Sequence, residues 1–164
     1  MQPFIHLHVH SQYSVLDGQA SVKALVDKAI ANGMRGIALT DHGNMFGIKE
    51  LTDYVNKKNK DVDGEIKNLK KTIEELKSAD AVDQEALSKA ETALKEAESK
   101  IFTPIIGCEM YVADNDMTDR SNKKDIGRHL IVLAKNQHGY HNLIKLVSNA
   151  WTDGYYYPPR TDKK

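Results

Sequence analysis

Residues 36–43 read Gly36-Ile37-Ala38-Leu39-Thr40-Asp41-His42-Gly43, an unbroken apolar run that stops on an acid, an imidazole and a glycine. A short run without alternation predicts a strand covered on both faces, as in a parallel sheet flanked by helices. Upstream, Ser21 is placed to cap a helix with apolar positions Val22, Leu25, Val26, Ala29 and Ile30, the spacing of one helix face. Gly33 falls where a left-handed C-terminal cap belongs. Before that helix, Phe4-Ile5-His6-Leu7-His8-Val9-His10 alternates strictly, which predicts a strand with all three histidines on one face. Residues 1–43 are therefore expected to form a β-α-β unit with a right-handed crossover.

A second helix is expected over about 45–57, after which the composition changes. Residues 59–100 are rich in Lys, Glu and Ala and hold neither proline nor aromatic. Ile66, Leu69, Ile73 and Leu76, and then Leu87, Ala90, Leu94, Ala97 and Ile101, alternate spacings of three and four, the seam of a coiled coil. With a turn over 78–83 and Asp83 as a cap, the segment reads as an antiparallel helical hairpin, either a solvated spacer or a docking arm. The core pattern resumes at Pro104. A strand is expected over 105–113, a mobile polar loop over 114–127, a strand over 129–135 and a helix over 139–151. That last helix carries Tyr140, Leu143, Ile144, Val147 and Trp151 on its expected core face, and Tyr155, Tyr156 and Tyr157 suit a core better than base stacking.

Composition narrows the class. The 164 residues are 40% apolar and 28% charged with zero formal net charge, so no broad basic field advertises nucleic acid. The lone Cys108 excludes an internal disulfide and suits a reducing compartment, and no apolar run is long enough to span a bilayer. The expected location is the cytoplasm, with no membrane partner.

The chemistry lies in histidines and carboxylates near expected strand ends. His8 and His10 close the first strand, Asp17 follows in its loop, and Asp41 and His42 close the second. Glu109 lies within the third strand and His129 opens the fourth. In α/β folds such ends gather on the rim where active sites are built. Imidazole with carboxylate is a ligand set for Zn²⁺, Mn²⁺ or Fe²⁺. More than four such ligands imply more than one ion, an arrangement suited to phosphate ester hydrolysis. Asp41 reads as orienting a ligand histidine, His6 as a structural residue on the site face, Cys108 as a buried small hydrophobe, and His138 and His141 as surface or packing residues.

The blocks His8-Val-His10-Ser11, Asp17-Gly18, Leu39-Thr-Asp-His-Gly43, Ile106-Gly-Cys-Glu-Met-Tyr-Val112, His129-Leu-Ile-Val-Leu-Ala-Lys-Asn136, Gly139-Tyr140 and Asn142-Leu-Ile-Lys-Leu-Val-Ser148 resemble, in order, the opening of the PHP domain in alpha subunits of bacterial replicative polymerases. The resemblance implies an α/β fold, the N-terminal portion of a distorted (βα)7 barrel, with residues 1–58 and 102–164 in the barrel and 59–101 an inserted hairpin. It implies up to three divalent ions, Zn, Mn or Fe, with His8, His10, Asp17, His42, Glu109 and His129 at ligand positions. Asp17 and Glu109 are the candidate catalytic carboxylates, and Glu109 is the one expected to bridge two ions. It further implies a nucleotidyltransferase parent with a metal-dependent phosphoesterase domain, possessing 3′→5′ exonuclease activity in the whole protein. Partners would be DNA and other replisome subunits. The alternative is a non-catalytic scaffold contacting those subunits; a free-standing small-molecule phosphatase is disfavoured by the segments after His129. The family's remaining ligands, a Cys or His and then an Asp-x-His pair, fall beyond residue 164. The chain alone is accordingly expected to bind metal weakly, to hydrolyse negligibly and, through open strand edges, to self-associate.

Overall fold

The apolar run is a strand buried along its whole length, β1 (Gly36–Leu39), preceded by helix α1 (Val22–Ala31). This computed structural model describes residues 4–79 and 83–163. Beyond β1, the elements among them are α2 (Ile48–Ser78), α3 (Gln84–Lys100), β2 (Thr103–Val112), β3 (Arg128–Leu133), α4 (Gln137–Thr152) and β4 (Arg160–Thr161). The Ser21 hydroxyl accepts from Ala24 N at the start of α1, and Gly33 takes φ 74° beyond its end, both as the sequence predicts.

β2 is the centre of the sheet. Its first half pairs in parallel with β1, from Gly36 opposite Thr103 to Leu39 opposite Ile106. Its second half pairs antiparallel with β3, from Gly107 opposite Leu133 to Val112 opposite Arg128. β4 runs parallel beside its end, with Tyr111 opposite Arg160. The parallel setting expected of the 36–43 strand is thus found between β1 and β2, while β3 runs antiparallel. No helix intervenes between β2 and β3, so the chain turns back on itself instead of crossing over. That reversal brings His129, at the start of β3, opposite Tyr111 near the end of β2.

The segment 4–10 also departs from expectation. It runs beside β1 without forming a regular strand, and its carbonyls at His6 and Val9 accept from Ala38 N and Thr40 N, each at 2.9 Å. Two residues of β1 thus span three of the segment. The extra residue at the Leu7–His8 bend rotates His6 off the face shared by His8 and His10, as a bulge does. His6 instead lines a hollow against α1 with Val9, Leu25 and Ile37.

One core cluster joins α1 and α2 to β1 through Val22, Val26, Ile37, Leu39, Ile48, Leu51, Val55 and Phe102. A second joins β2 to α4 through Cys108, Met110, Leu143, Val147 and Ala150. The buried face of α4 is therefore rotated from the one predicted, since Ile144 is 40% and Trp151 46% exposed. Trp151 turns aside because its indole N–H donates to Gly43 O at 2.7 Å, a partner a packed core position would not supply.

The second helix does not stop near residue 57. It continues to Ser78, broken by no proline and weakened only by Gly64, which costs about 1 kcal/mol in a helix interior. The next helix packs antiparallel to it, with Lys70 pairing with Glu98 and Lys77 with Glu91, while Ile73 and Ala97 are buried on the seam. Asp83 caps that helix, its carboxylate accepting from Glu85 N and Ala86 N. The intervening residues 80–82 of the expected turn lie outside the described residues.

The loop expected to be mobile is tied down from within. Arg160 is fully buried and donates from Nη1 to Asp125 O and Oδ2, and from Nη2 to Met117 O and Asp119 O. The Asp125 carboxylate in turn accepts from Asp114 N and Gly127 N. The aromatic run at the end is not the core expected of it. Tyr155 is 42% and Tyr157 81% exposed, while Arg160 occupies the interior because its fork satisfies carbonyls that a phenol cannot.

Cys108 is wholly buried, as the alternation of β2 predicts, and burial, with the Asp41 charge adding to it, pushes its thiol up to about 12. Against the ordinary value of 9.0, thiolate near neutral pH is about a thousandfold scarcer. The native protein at pH 8 is expected to react with a thiol reagent at least about a thousandfold more slowly than the denatured chain. Rapid native labelling would contradict the packing. By the same shift, this thiol removes stability as pH rises above 9.0, where the unfolded chain ionises first.

Candidate metal centre

Glu109 is the floor of the site. It is 1% exposed, and its strand is clamped to the 41–43 turn, Glu109 N donating to Asp41 O at 3.1 Å and Gly43 N to Glu109 O at 2.8 Å. Gly43 adopts φ 59°, and a Cβ there would meet Pro159 at 2.8 Å, so this turn needs glycine. Alternation along β2 sends Cys108 and Met110 into the core beneath α4, and Glu109 with Tyr111 to the opposite face.

Four imidazoles surround the floor. Glu109 Oε2 lies 2.6 Å from His8 Nε2 and 2.6 Å from His10 Nε2, which are 3.0 Å from each other. Oε1 contacts His129 Nδ1 and lies 3.7 Å from His42 Nδ1. Above, Asp17 Oδ2 is 3.0 Å from both His10 Nδ1 and His42 Nε2. The site grades from a buried carboxylate to an open lip, with the His8 and His129 side chains each 53% exposed and Asp17 48%. All six side chains singled out in the sequence thus meet in one place, although they come from four separate stretches of chain.

The Asp17 loop is built by Asp41. Its buried carboxylate accepts from Ser11 N at 2.7 Å, Ser11 Oγ at 2.8 Å and Ser14 Oγ at 2.7 Å. Ser14 Oγ also accepts from His42 N at 3.1 Å. Asp41 therefore acts through two serines on the loop that carries Asp17, and through Ser14 on the backbone of His42, which is how it orients a histidine of the site. Gly18 closes that loop because any Cβ would lie 1.8 Å from Ser11 O.

The hydrogen bond from His42, against the opposing effect of burial and with support from His10, holds the Asp17 carboxyl below its ordinary value of 3.8. Burial pushes the Glu109 carboxyl up, but hydrogen bonds from His8 and His10, and the His42 and His129 rings, outweigh it and hold the group below 4.5. Burial pushes the Tyr111 phenol up, helped by the Glu109 and Asp17 charges, so it remains a hydroxyl.

This donor set fits divalent cations. Carboxylate oxygens only accept, so His10, which faces one through each nitrogen, would need protons on both to satisfy the contacts by hydrogen bonding alone. A shared cation accepts the same lone pairs without that demand. Three overlapping groups have donor atoms within 4.8 Å of one another: His8, His10 and Glu109; His10, Asp17 and His42; and His42, Glu109 and His129.

Tyr111 is the site residue that sequence reasoning missed. Its hydroxyl lies 2.8 Å from His42 Nδ1 and its ring meets that of His129 edge-on, with centroids 4.8 Å apart. The signal was available, since Tyr111 is two residues from Glu109 on the same strand. His138 and His141 are exposed on α4, as expected.

A mixed α/β fold that gathers histidines and acids around a buried glutamate defines a class, and the chain belongs to the PHP domain family, which it matches over residues 6–164. Its similarity extends to particular proteins. It is 41% identical over 162 residues to the DNA polymerase III subunit alpha of Treponema pallidum. It is 39% identical over 165 residues to that of Borreliella burgdorferi and 35% over 162 residues to that of Chlamydia trachomatis. These matches cover 97–98% of this chain, which spans about 10% of the length of each relative.

Proposed function

We propose that this chain is the metal-dependent phosphoesterase portion of a replicative DNA polymerase alpha subunit, acting in the whole protein as a 3′→5′ exonuclease on primer ends. The observation that carries the reading is the convergence of His8, His10, Asp17, His42 and His129 on buried Glu109. Bound divalent cations would supply a water of lowered pKa and contacts to phosphoryl oxygens. Glu109 holds the imidazoles of His8, His10 and His129 over the floor. Asp17, ionised and half exposed at the lip beside His10 and His42, would help hold a cation on the side from which water enters. The proposal includes the domain plan, with 1–58 and 102–164 as parts of a (βα)7 barrel and 59–101 as an inserted hairpin. Support for the insertion is that α2 and α3 bury their seam against each other. DNA, other replisome subunits and a cytoplasmic location belong to the same reading, and no described helix is long and apolar enough to cross a membrane.

The test is the shortening of a labelled, mispaired primer by the polymerase-length protein with Mn²⁺. His8→Ala is expected to lower the rate by about a hundredfold or more, since removal of even a ligand's supporting hydrogen bond costs about 10–100-fold. Unchanged shortening would overturn the reading. Metal bound without any shortening would favour the scaffold role instead.

A further inference from the structure

His42 faces two acids through two nitrogens: Nε2 lies 3.0 Å from Asp17 Oδ2, and Nδ1 lies 3.7 Å from Glu109 Oε1. A neutral imidazole has one lone pair, so it can ligate through one nitrogen only, and the partner of the other nitrogen selects which. The Tyr111 hydroxyl, 2.8 Å from Nδ1, is closer than either carboxylate oxygen.

We propose that Tyr111 is a positioning residue of this centre: its hydroxyl accepts Nδ1–H of His42 and so directs the Nε2 lone pair toward Asp17 and the cation held there. The inference rests on the metal-centre reading above. Tyr111 is well placed for the task because its backbone is paired on both sides, with His129 of β3 and Arg160 of β4. Its ring lies 21° from the plane of His42, centroids 5.8 Å apart, and stands edge-on to His129, so rotation of the phenol is blocked by the residues it serves. A phenol in this place does for His42 what a carboxylate or carbonyl does for other metal-binding histidines, fixing both ring orientation and tautomer.

The test pairs Zn²⁺ affinity of the polymerase-length protein, by chelator competition, with ¹⁵N NMR of the histidine imidazoles, His42 being assigned by its absence in His42→Ala. In the Zn²⁺-loaded wild type, His42 is expected to show a coordinated Nε2 and a protonated Nδ1. Tyr111→Phe, which keeps the ring and removes only the hydroxyl, is expected to weaken Zn²⁺ by about 10–100-fold and to lose the single His42 tautomer. In a His42→Ala background the same change is expected to cost nothing further, because Tyr111 acts through His42. Coordination through Nδ1 in the wild type overturns the proposal without needing any variant to fold. Equal affinity of wild type and Tyr111→Phe overturns it too, as does a further loss in the His42→Ala background. Failure of the wild type to take up Zn²⁺ overturns the metal-centre reading, and this inference with it.

Discussion

In the polymerase-length protein, Glu109→Gln is expected to weaken binding of divalent cations by more than the roughly 10–100-fold that follows removal of a ligand's hydrogen-bonding partner. The residue stands in two of the three donor groups and is the only acid facing His8 and His129 in them. Glutamine preserves shape but not charge, so the change separates electrostatics from packing. Wild-type protein should be stabilised against heat by added Mn²⁺ through ligand linkage, and the variant should not respond. A thermal shift of equal size in both would remove Glu109 from the centre. The metal-free proteins make a second comparison. A carboxyl held below its ordinary value of 4.5 contributes stability that is fully present above that pH and is lost as pH falls through the lowered folded value. The advantage of wild type over Glu109→Gln should therefore appear at neutral pH and vanish in acid.

Arg160→Met is expected to destabilise the fold by about 3–5 kcal/mol, the usual cost of leaving one member of a buried ion pair without its partner. Three carbonyls, those of Met117, Asp119 and Asp125, lose their donor together with the Asp125 carboxylate. Urea denaturation measures the loss, and a change below about 1 kcal/mol would show that the guanidinium is dispensable. The effect should reach the metal centre. The 114–127 loop that Arg160 anchors leads directly into Arg128 and His129, so weaker cation binding and faster proteolysis of the loop are expected together. Asp125→Asn combined with Arg160→Met should cost less than the sum of the two single changes, because both disrupt one network.

Much of the candidate site was legible because imidazoles and acids declare themselves by type and by position near strand ends. His8, His10, Asp17, His42, Glu109 and His129 stand out as imidazoles and acids at the close or opening of apolar runs. The helices at 22–31 and 84–100 were equally readable, since caps at Ser21 and Asp83 and a period near 3.6 are local properties. Tyr111 was not read as part of the site, for a tyrosine on a half-buried strand has an ordinary packing explanation until His42 is found beside it.

What the sequence by itself determined was therefore chemistry and local form: which residues are capable of holding cations, which stretches are strand or helix, and the family resemblance. Tertiary structure alone decided direction and register. It set β3 antiparallel, which delivers His129 to the end of β2, and it placed one extra residue at Leu7–His8, which turns His6 away from the site. It also exchanged the expected occupants of the interior, burying Arg160 and exposing Tyr157. The reason is common to all three. Strand direction, bulges and buried charge are settled by partners far away in the chain, whose hydrogen bonds and available space no local pattern records.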